Sequence, residues 1–440
     1  MPTRRYESWG RFPRAEQQVL RRRWRDEGIP GDRPGNGQVL PYGNGRSYGD
    51  VCLNDGGLLL DCGGMDRFIS FDADSGVLRC EAGVLLRDIL RLVVPRGWFL
   101  PVVPGTQWVT VGGAVANDIH GKNHHCAGTF GRHVRLLELL RSDGRRLSCS
   151  PSSNPEWYAA TIAGLGLTGV ITWAELQLKR VPGPAIECET ISFGNLGEFF
   201  ALASESDEAF EYTVAWVDAV SRGSTLGRGL FFRGNHSPRA VRSGGGNSEK
   251  LDFSSLPAMP LVSRPVIRLF NEMYARKQSR RSRLTVTGYG PFFFPLDAVG
   301  GWNRFYGAKG LLQYQFVVPK AQGAEVVKQV LERSSRSGAA PFLTVLKVFG
   351  DQPSPGMLSF PRPGITMAVD FPNRGASTNV LLEGFDALIR EAGGAIYPAK
   401  DARMSPATFQ TCFPHWSDML PFVDPGFSSG FWRRVTEVVP

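Results

Sequence analysis

The apolar positions of residues 38–180 follow two different periods. Between residues 84 and 97, apolar side chains recur at the spacing of one helix face, at Leu85, Leu86, Ile89, Leu90 and Val93. Pro95 and Gly97 follow this run and predict the end of the helix. Residues 169–181, "GVITWAELQLKRV", alternate between apolar and polar positions, which predicts a half-buried strand. The rest of this region has short apolar runs between turn residues, so we expect strands and turns around one clear helix.

The pattern changes after residues 182–184, "PGP", which predict a break and a domain boundary. Longer helices and strands are predicted from there to about residue 392, in "NLGEFFALASES", "LLQYQFVVP", "GAEVVKQVLERSSRSG" and "PFLTVLKVFG". Residues 233–252 are rich in Gly, Ser and charged residues, and we interpret them as a flexible loop. A last segment, from residue 393, follows another amphipathic helix, and periodicity does not assign it to either domain.

Three glycine-rich stretches lie in the first region. Residues 43–50, "GNGRSYGD", match neither the phosphate-binding P-loop nor the dinucleotide fingerprint, because the following "VCLNDGGLLLDC" is strand-like and provides no helix. Gly112 and Gly113 follow the strand-like "WVTV", and residues 164–169 read "GLGLTG". Glycines allow a backbone to approach a ligand closely. Three such loops in one domain can hold one long ligand.

Histidines between residues 120 and 133 raise the alternative of a metal site. The group comprises His120, His124, His125, Cys126 and His133, and an HxxxH pair on a helix would place two imidazoles on one face. Gly121 and Asn123 interrupt the pair, so a helix is doubtful and we expect no metal. Contact with a ligand and ordinary structural hydrogen bonding both stay open for these side chains.

Composition narrows the class of protein only a little. Of 440 residues, 50 are Lys or Arg and 41 are Asp or Glu, so the formal charge of +9 suits an anionic partner. The cations concentrate at residues 21–25 and 275–283, which we interpret as solvated helix faces or mobile loops. No nucleic-acid-binding motif is present. The seven cysteines form no close-spaced framework, which indicates reduced thiols.

No stretch of the sequence predicts a signal peptide or a membrane-spanning helix. We therefore expect a cytoplasmic or peripherally membrane-associated protein. Peripheral attachment to an anionic lipid surface would involve the basic stretch 275–283 and the loop 233–252.

Six motifs together resemble the decaprenylphosphoryl-β-D-ribose 2-oxidase family: "GNGRSYGD", "PVVPGTQWVTVGGAVANDIHGKNHH", "GLGLTGVIT", "LQYQFVVP", "VDFP" and "YPAKD". That family belongs to the flavoprotein superfamily of vanillyl-alcohol oxidase and para-cresol methylhydroxylase. The resemblance implies an α+β fold. Residues 1–183 would form an FAD-binding domain of the para-cresol methylhydroxylase type, residues 184–392 an inserted substrate domain of antiparallel sheet plus helices, and residues 393–440 a segment that returns to the FAD domain and completes the active site.

The resemblance also implies the residues that hold FAD. Three groups would bind it, namely Gly43, Asn44, Gly45, Arg46, Ser47 and Tyr48 along the diphosphate and isoalloxazine; Gly105, Thr106, Gly112, Gly113, Asn117, Ile119 and His120 in a second loop; and Gly164, Gly169 and Val170 near the adenosine. Tyr397 would pack at the flavin edge. Many superfamily members tether FAD through a histidine in the first loop, where this chain has Tyr48. We therefore expect non-covalent FAD.

The implied reaction is oxidation of a secondary alcohol on a sugar, with the 2-hydroxyl of a polyprenylphosphoryl-β-D-ribose as the substrate group. Lys400 and His120 would orient or deprotonate the alcohol, with Tyr48 beside them, although Lys400 could instead be an exposed lysine. Substrate contacts would come from Lys122, Asp297, Gln313, Gln315, Lys347, Ala368 and Lys400. A separate NAD(P)H-dependent keto-reductase would complete a ribose-to-arabinose epimerisation.

Two positions depart from the family pattern. Ala368 stands before "VDFP", where some members have a cysteine that nitroaromatic inhibitors trap, and Phe293 stands where a tyrosine is common. These changes make the pocket more apolar and leave substrate identity open. The alternatives are a related sugar, alditol, lactone or nucleoside alcohol oxidase, or a basic module that binds a nucleic acid or a membrane surface.

Overall fold

A computed structural model describes residues 6–31, 35, 37–240, 251–277, 282–339 and 341–436. Its strands are β1 (Gln18–Arg21), β2 (Val39–Tyr42), β3 (Leu58–Asp61), β4 (Phe68–Asp72), β5 (Val77–Glu81), β6 (Trp98–Phe99), β7 (Val134–Leu140), β8 (Arg146–Cys149), β9 (Val170–Gln177), β10 (Lys179–Arg180), β11 (Ala185–Phe193), β12 (Tyr212–Val217), β13 (Gly229–Ser237), β14 (Leu251–Asp252), β15 (Ser282–Gly288), β16 (Val299–Gly300), β17 (Leu311–Val318), β18 (Thr344–Phe349), β19 (Gly364–Pro372) and β20 (Ala395–Ile396).

The described helices are α1 (Leu86–Val93), α2 (Val111–Ala116), α3 (His124–Ala127), α4 (Pro155–Thr161), α5 (Leu196–Ser206), α6 (Arg264–Lys277), α7 (Tyr289–Phe293), α8 (Lys320–Arg336), α9 (Ala376–Glu391), α10 (Pro406–Cys412) and α11 (Gly430–Thr436). None of these helices is long and apolar enough to cross a membrane.

Local periodicity predicted the long elements correctly. The helix expected from residue 85 is α1, whose buried residues are Leu86, Ile89, Leu90 and Val93, and the chain leaves it at Gly97 with a φ of +77°. The alternating stretch from residue 169 forms β9, and the predicted helices and strands after residue 184 are α5, β17, α8 and β18. In these segments the spacing of the apolar residues on one buried face is enough to predict whether the segment is a helix or a strand.

Two small sheets and a two-stranded pair, β6 with β10, make up the described N-terminal region. Strands β1, β3 and β2 form a parallel sheet in that order, and strands β4, β5, β9, β7 and β8 form an antiparallel one. The glycine stretch 43–50 leaves β2 and leads into a short 3₁₀ turn, Asp50–Cys52, before β3. No helix of several turns follows it, which confirms the mismatch with the dinucleotide fingerprint.

An eight-stranded sheet dominates the rest of the chain, in the order β15-β11-β13-β12-β18-β19-β17-β20. Its described pairings are antiparallel, such as Gln315 opposite Ala368 and Lys347 opposite Thr366. Helices α5, α8 and α9 pack against one face and bury apolar residues such as Phe316 and Met367. The mixed α/β architecture with antiparallel sheets agrees with the predicted fold class.

The C-terminal segment contacts both regions. Strand β20 adds to the edge of the large sheet beside β17, with Phe316 opposite Ile396. Helix α11 packs on the turn after the first glycine stretch, where the Gly430 N–H donates to the Leu53 carbonyl at 2.8 Å. A buried ion pair also joins Asp424 to Arg141 at 3.2 Å.

Two sequence-based interpretations are wrong in part. Residues 233–237 of the proposed flexible loop belong to β13, which pairs with both β11 and β12 in the large sheet. Residues 241–250 lie outside the described residues.

The run 21–25 is not a solvated helix face. Arg22 is buried there, and its guanidinium donates to the carbonyls of Glu27 and Gly28. Of the run 275–283, residues 278–281 also lie outside the described part.

Replacing Asp424 with alanine should destabilise the protein strongly. The side chains of Asp424 and Arg141 are 1% and 7% exposed, and Asp424 also accepts hydrogen bonds from the N–H groups of Ser142 and Gly426, both at 2.8 Å. Its removal leaves a buried guanidinium uncompensated, which costs roughly 3–5 kcal/mol. The free energy of unfolding from urea titration measures the effect.

The matched control is Asp143→Ala. Asp143 and Arg145 are 48% and 62% exposed, and their ion pair at 2.6 Å lies in the same hairpin region. An exposed pair contributes at most about 1 kcal/mol. Equal losses for the two variants would show that the buried pair does not anchor the C-terminal segment.

Candidate active site

A cavity of about 930 Å³ lies between the glycine-rich loops and the large sheet. Residues 43–48 and parts of 103–122 line it from the loop side. The sheet contributes mainly alternate residues: Cys188 and Thr190 of β11, Val214 and Trp216 of β12, Gln313 and Gln315 of β17, Val345 and Lys347 of β18, and Thr366 and Ala368 of β19. Successive side chains in a strand point to opposite faces. The sheet face away from its helices therefore forms one wall of the cavity.

The first glycine loop is held by its neighbours rather than by a helix. The Tyr48 N–H donates to the Ala399 carbonyl at 2.9 Å, and the Asn44 side chain donates to the Trp108 carbonyl at 2.8 Å. Gly45 has a φ of +61°, and a Cβ there would lie 2.1 Å from the Tyr42 hydroxyl. Within the described chain, the main-chain N–H groups of Gly45 and Ser47 find no acceptor. These donors are available to an acceptor in the cavity.

The second loop surrounds Asn117. The Thr110 hydroxyl accepts from the Gly113 N–H at 3.2 Å, and the Asn117 side-chain amide donates to the Gly113 carbonyl at 2.9 Å. The Oδ1 atom of Asn117 is buried with no hydrogen-bond partner among the described residues. A Cβ on Gly105 would meet nothing within 4 Å. This loop thus offers an unused acceptor and open space beside it.

Asp118 supports the second loop from behind, and the sequence analysis missed it. Its φ of +38° is unusual for a residue other than glycine. Its buried carboxylate accepts from the Gly131 N–H at 2.8 Å and from the hydroxyls of Ser354 and Ser359 at 2.5 and 2.6 Å. Three hydrogen bonds therefore fix the backbone between Asn117 and Ile119. The serines lie more than 230 residues away, so no local pattern could reveal the contact.

His120 lies at the centre of a polar cluster. Its Nε2 is 2.9 Å from the Gln315 amide nitrogen, and its Nδ1 is 3.1 Å from the Lys347 amine. Burial, together with the charges of Lys347, His124 and Lys400, holds the pKa of His120 well below its usual value. The imidazole is therefore neutral, with one donor and one acceptor nitrogen.

The protonation state of Lys347 determines how the hydrogen bonds of this cluster are arranged. Burial, together with the positive charges of Lys122 and Lys400, lowers the pKa of Lys347 to about 7. A neutral amine at Lys347 can accept the Nδ1–H of His120 and still donate to the Gly121 carbonyl at 3.1 Å, while Nε2 accepts from Gln315. With the lysine neutral, each of these three side chains finds a partner within the cluster.

Lys400 is half-buried in the cavity wall rather than exposed on the surface, which rules out a solvent-exposed lysine at this position. Its amine lies 3.9 Å from the centre of the Tyr48 ring. Burial lowers the pKa of Lys400 to about 8, against the opposing effect of Asp370. Burial raises the pKa of Asp370 in turn, although the carboxylate accepts from the Gln313 amide. The charges of Lys400 and Asp370 therefore influence each other's pKa, each favouring the charged form of the other group.

The remaining predicted substrate contacts also line the cavity. The Lys122 amine donates to the Phe292 carbonyl and lies 4.6 Å from the Phe292 ring centre, and burial lowers the pKa of Lys122 to about 8. The Asp297 carboxylate accepts from the Gln107 N–H at 2.9 Å. Phe293, Ala368 and Tyr397 lie in the lining as well, and the Tyr397 hydroxyl donates to the Asn117 carbonyl at 2.8 Å.

Most residues implied by the resemblance meet at this cavity, but two do not. Gly164 and Val170 are absent from its lining, whereas their neighbours Leu165, Gly166, Gly169 and Ile171 contribute to it. The turn and the alternation of β9 place Gly164 and Val170 on the side that faces the protein core.

The histidines do not form a metal site within the described chain, where no three His, Cys, Asp or Glu side chains are grouped to hold an ion. The helical turn α3 begins at His124, so His120 lies before it and the two imidazoles do not share a helix face. The ring of His124 packs instead on Phe349, with 4.3 Å between their centres.

Comparison with known proteins identifies the class of protein. Residues 35–150 match the FAD binding domain family. The chain is 33% identical over 147 residues to L-gulonolactone oxidase of Mus musculus, a match that covers 33% of this chain and 32% of that one. Within this class of FAD-dependent oxidoreductases, the cofactor of the chain is FAD.

Full-length similarity then identifies the family. The chain is 37% identical over 415 residues to decaprenylphosphoryl-β-D-ribose oxidase of Mycolicibacterium smegmatis, covering 90% of this chain and 89% of the relative. An uncharacterised protein of Streptomyces coelicolor is 33% identical over 373 residues, which cover 80% of this chain and all of that protein. The chain belongs to the decaprenylphosphoryl-β-D-ribose oxidase family.

The cavity is suited to FAD. The unpaired N–H groups of Gly45 and Ser47 match the phosphate oxygens of a dinucleotide, as in a nest of main-chain donors. The orphan Oδ1 of Asn117 can accept from a flavin or adenine N–H. Open space at Gly105 allows close approach of the ligand.

FAD should dissociate from the denatured protein. In the first loop Tyr48 takes the place of a tethering histidine, and both ring nitrogens of His120 already contact protein groups. Acid precipitation should therefore leave the flavin absorbance in the supernatant. Flavin that stays with the pellet would contradict a non-covalent site. A sample treated with phosphodiesterase before precipitation controls for physical trapping.

Proposed function

We propose that the protein oxidises the 2-hydroxyl group of a polyprenylphosphoryl-β-D-ribose to a 2-ketone. The observation that carries the proposal is the meeting of two polar groups at one cavity, His120 with Gln315 and Lys347, and Lys400 over the ring of Tyr48. The relative that the chain matches over 90% of its length is named for this lipid-linked ribose.

The lysines provide the acid–base chemistry of the proposed reaction. When bound, FAD supplies the hydride acceptor. Lys400 accepts the hydroxyl proton as a neutral amine, since burial has already lowered its pKa to about 8. The neutral His120 orients the hydroxyl group, and its own position is fixed by Gln315 and Lys347.

Charge complementarity supports a phosphorylated sugar. Lys122, Lys347 and Lys400 line the cavity together, and each loses part of its charge because burial lowers its pKa. An anionic ligand beside Lys122 and Lys347 would favour the protonated forms of these two amines. The phosphate of the substrate would therefore bind near Lys122 and Lys347, whereas Lys400 stays neutral to accept the hydroxyl proton.

In the proposed arrangement, different domains bind the cofactor and the substrate. Residues 1–183 and 393–440 hold FAD in the manner of the para-cresol methylhydroxylase type, and residues 184–392 bind the substrate. The contacts of α11 with the turn at Asp50–Cys52 and of β20 with β17 support this assignment. We also propose that a separate NAD(P)H-dependent keto-reductase reduces the ketone, which an epimerisation at that carbon requires.

The similarity to L-gulonolactone oxidase supports a shared cofactor rather than a shared substrate. That match covers 33% of this chain. The match to the full-length relative also includes the large sheet, whose cavity face carries Gln313, Gln315, Lys347 and Ala368. A sugar, alditol, lactone or nucleoside alcohol oxidase is thus the second candidate function.

Lys400→Ala and His120→Ala should each bind FAD normally and lose most activity. Loss of a positioned base or orienting group typically lowers the rate by about 10²–10⁴-fold. Anaerobic mixing with a polyprenylphosphoryl-ribose, followed by flavin bleaching in a single turnover, measures this half-reaction alone.

The exposed Lys328→Ala in α8 is the matched control and should bleach at the wild-type rate. Wild-type bleaching by Lys400→Ala would mean that another group accepts the proton. A wild-type protein that never bleaches with this substrate, but does so with a lactone or alditol, would favour the second candidate function.

The single-turnover rate should rise with pH around a midpoint of about 8. The pKa of Lys400 is lowered to about 8, so the neutral amine that accepts a proton increases above this pH. Lys400→Arg keeps a cation that cannot deprotonate and should show a slow rate without this rise. If the rise persists in Lys400→Arg but disappears in Lys347→Arg, the base is Lys347 instead.

A further inference from the structure

Helix α6 carries an apolar stripe that faces away from the protein. Val266, Leu269 and Met273 recur at helical spacing and are 56%, 64% and 64% exposed. Phe270, 43% exposed, lies at the edge of this stripe, where its ring also packs on Phe342. Nine of the fourteen exposed large apolar side chains of the described chain lie between Leu251 and Leu284. Such a concentration is unusual for a surface that contacts only water.

The inner face of α6 fixes this orientation. Ile267 is 1% exposed, and the Asn271 side chain donates to Asp218 at 2.7 Å. Tyr274 packs on Trp216 with 5.0 Å between ring centres. The helix thus packs on the protein through its inner face, and apolar side chains also occupy its outer face, where the usual surface helix is polar.

Cations accompany the stripe. Arg268 and Arg283 are exposed, and the sequence continues after the stripe with Arg276 and Lys277. Helices with an apolar face and nearby cations bind in the plane of an anionic lipid surface. The stripe and its charges therefore complement a bilayer that contains acidic lipid.

The helix also borders the cavity. Phe270 and Tyr274 contribute to its lining, while Leu269 and Met273 on the same helix face outward. A protein docked through the stripe would hold the cavity beside the lipid surface. A substrate with a lipid tail could then reach the cavity without crossing water.

We propose that the outer stripe of α6 docks the protein on an anionic membrane surface. The contact is centred on α6, which follows the segment 233–252 and overlaps the start of 275–283, the two segments that the sequence indicated. The proposal does not depend on the substrate proposed above, because vesicle binding is measured without substrate.

The test is co-sedimentation of the FAD-loaded full chain with vesicles of phosphatidylcholine, with or without phosphatidylglycerol. The wild type should bind the acidic vesicles, more weakly at high salt. Leu269→Asp/Met273→Asp should need at least about tenfold more lipid for half-maximal binding, since an interfacial helix binds through its buried apolar area. Neither residue lines the cavity, so flavin bleaching by a water-soluble substrate analogue should not change.

Val380→Asp/Leu420→Asp is the matched control, because these apolar side chains are 67% and 47% exposed elsewhere on the surface. It should bind vesicles like the wild type. Absence of wild-type binding, or equal binding by the α6 variant, would overturn the proposal. So would a wild-type dimer in light scattering that becomes a monomer in the α6 variant, because the stripe would then cover a second copy of the chain.

Discussion

The site depends on one bridge between distant parts of the chain. The Arg434 guanidinium contacts Asp50 at 2.7 Å, just after the first glycine loop, and Asp401 at 2.9 Å, just after Lys400. Gly49 packs so closely against this turn that a Cβ would lie 1.7 Å from the Asp401 carbonyl oxygen. The bridge therefore sets the position of Lys400 relative to the first glycine loop.

Desolvation controls the chemistry of the cavity once that geometry is fixed. Burial lowers the pKa values of Lys122, Lys347 and Lys400, and the positive charges of neighbouring lysines lower that of Lys347 further. Amines that are ordinarily charged thus become proton acceptors near neutral pH. The same environment makes the cavity sensitive to a bound anion, since a negative charge would favour the protonated lysines. Binding of an anion in this cavity would consequently be linked to proton uptake.

The two walls of the cavity lie in parts of the chain that match different sets of known proteins. The glycine-loop wall lies largely in the part that matches the FAD binding domain family, and a lactone oxidase shares about a third of the chain. The sheet wall presents side chains with a period of two, so each substitution there acts directly on the ligand. Ala368 occupies such a position, between Gln315 and Val345 on adjacent strands. Variation of this wall can change the substrate while the cofactor site is retained.

The sequence by itself determined the elements whose pattern is local. The apolar spacing of α1 and the alternation of β9 define these segments, and the motifs around Tyr48, His120 and Lys400 indicated the flavin site and its family. Tertiary structure decided which groups meet: Asp118 with two distant serines, Arg434 with two aspartates, and Lys347 with His120. It also decided that the apolar stripe of α6 faces outward. Periodicity identifies residues that share a face, whereas the partner of that face and the resulting pKa values depend on segments hundreds of residues apart.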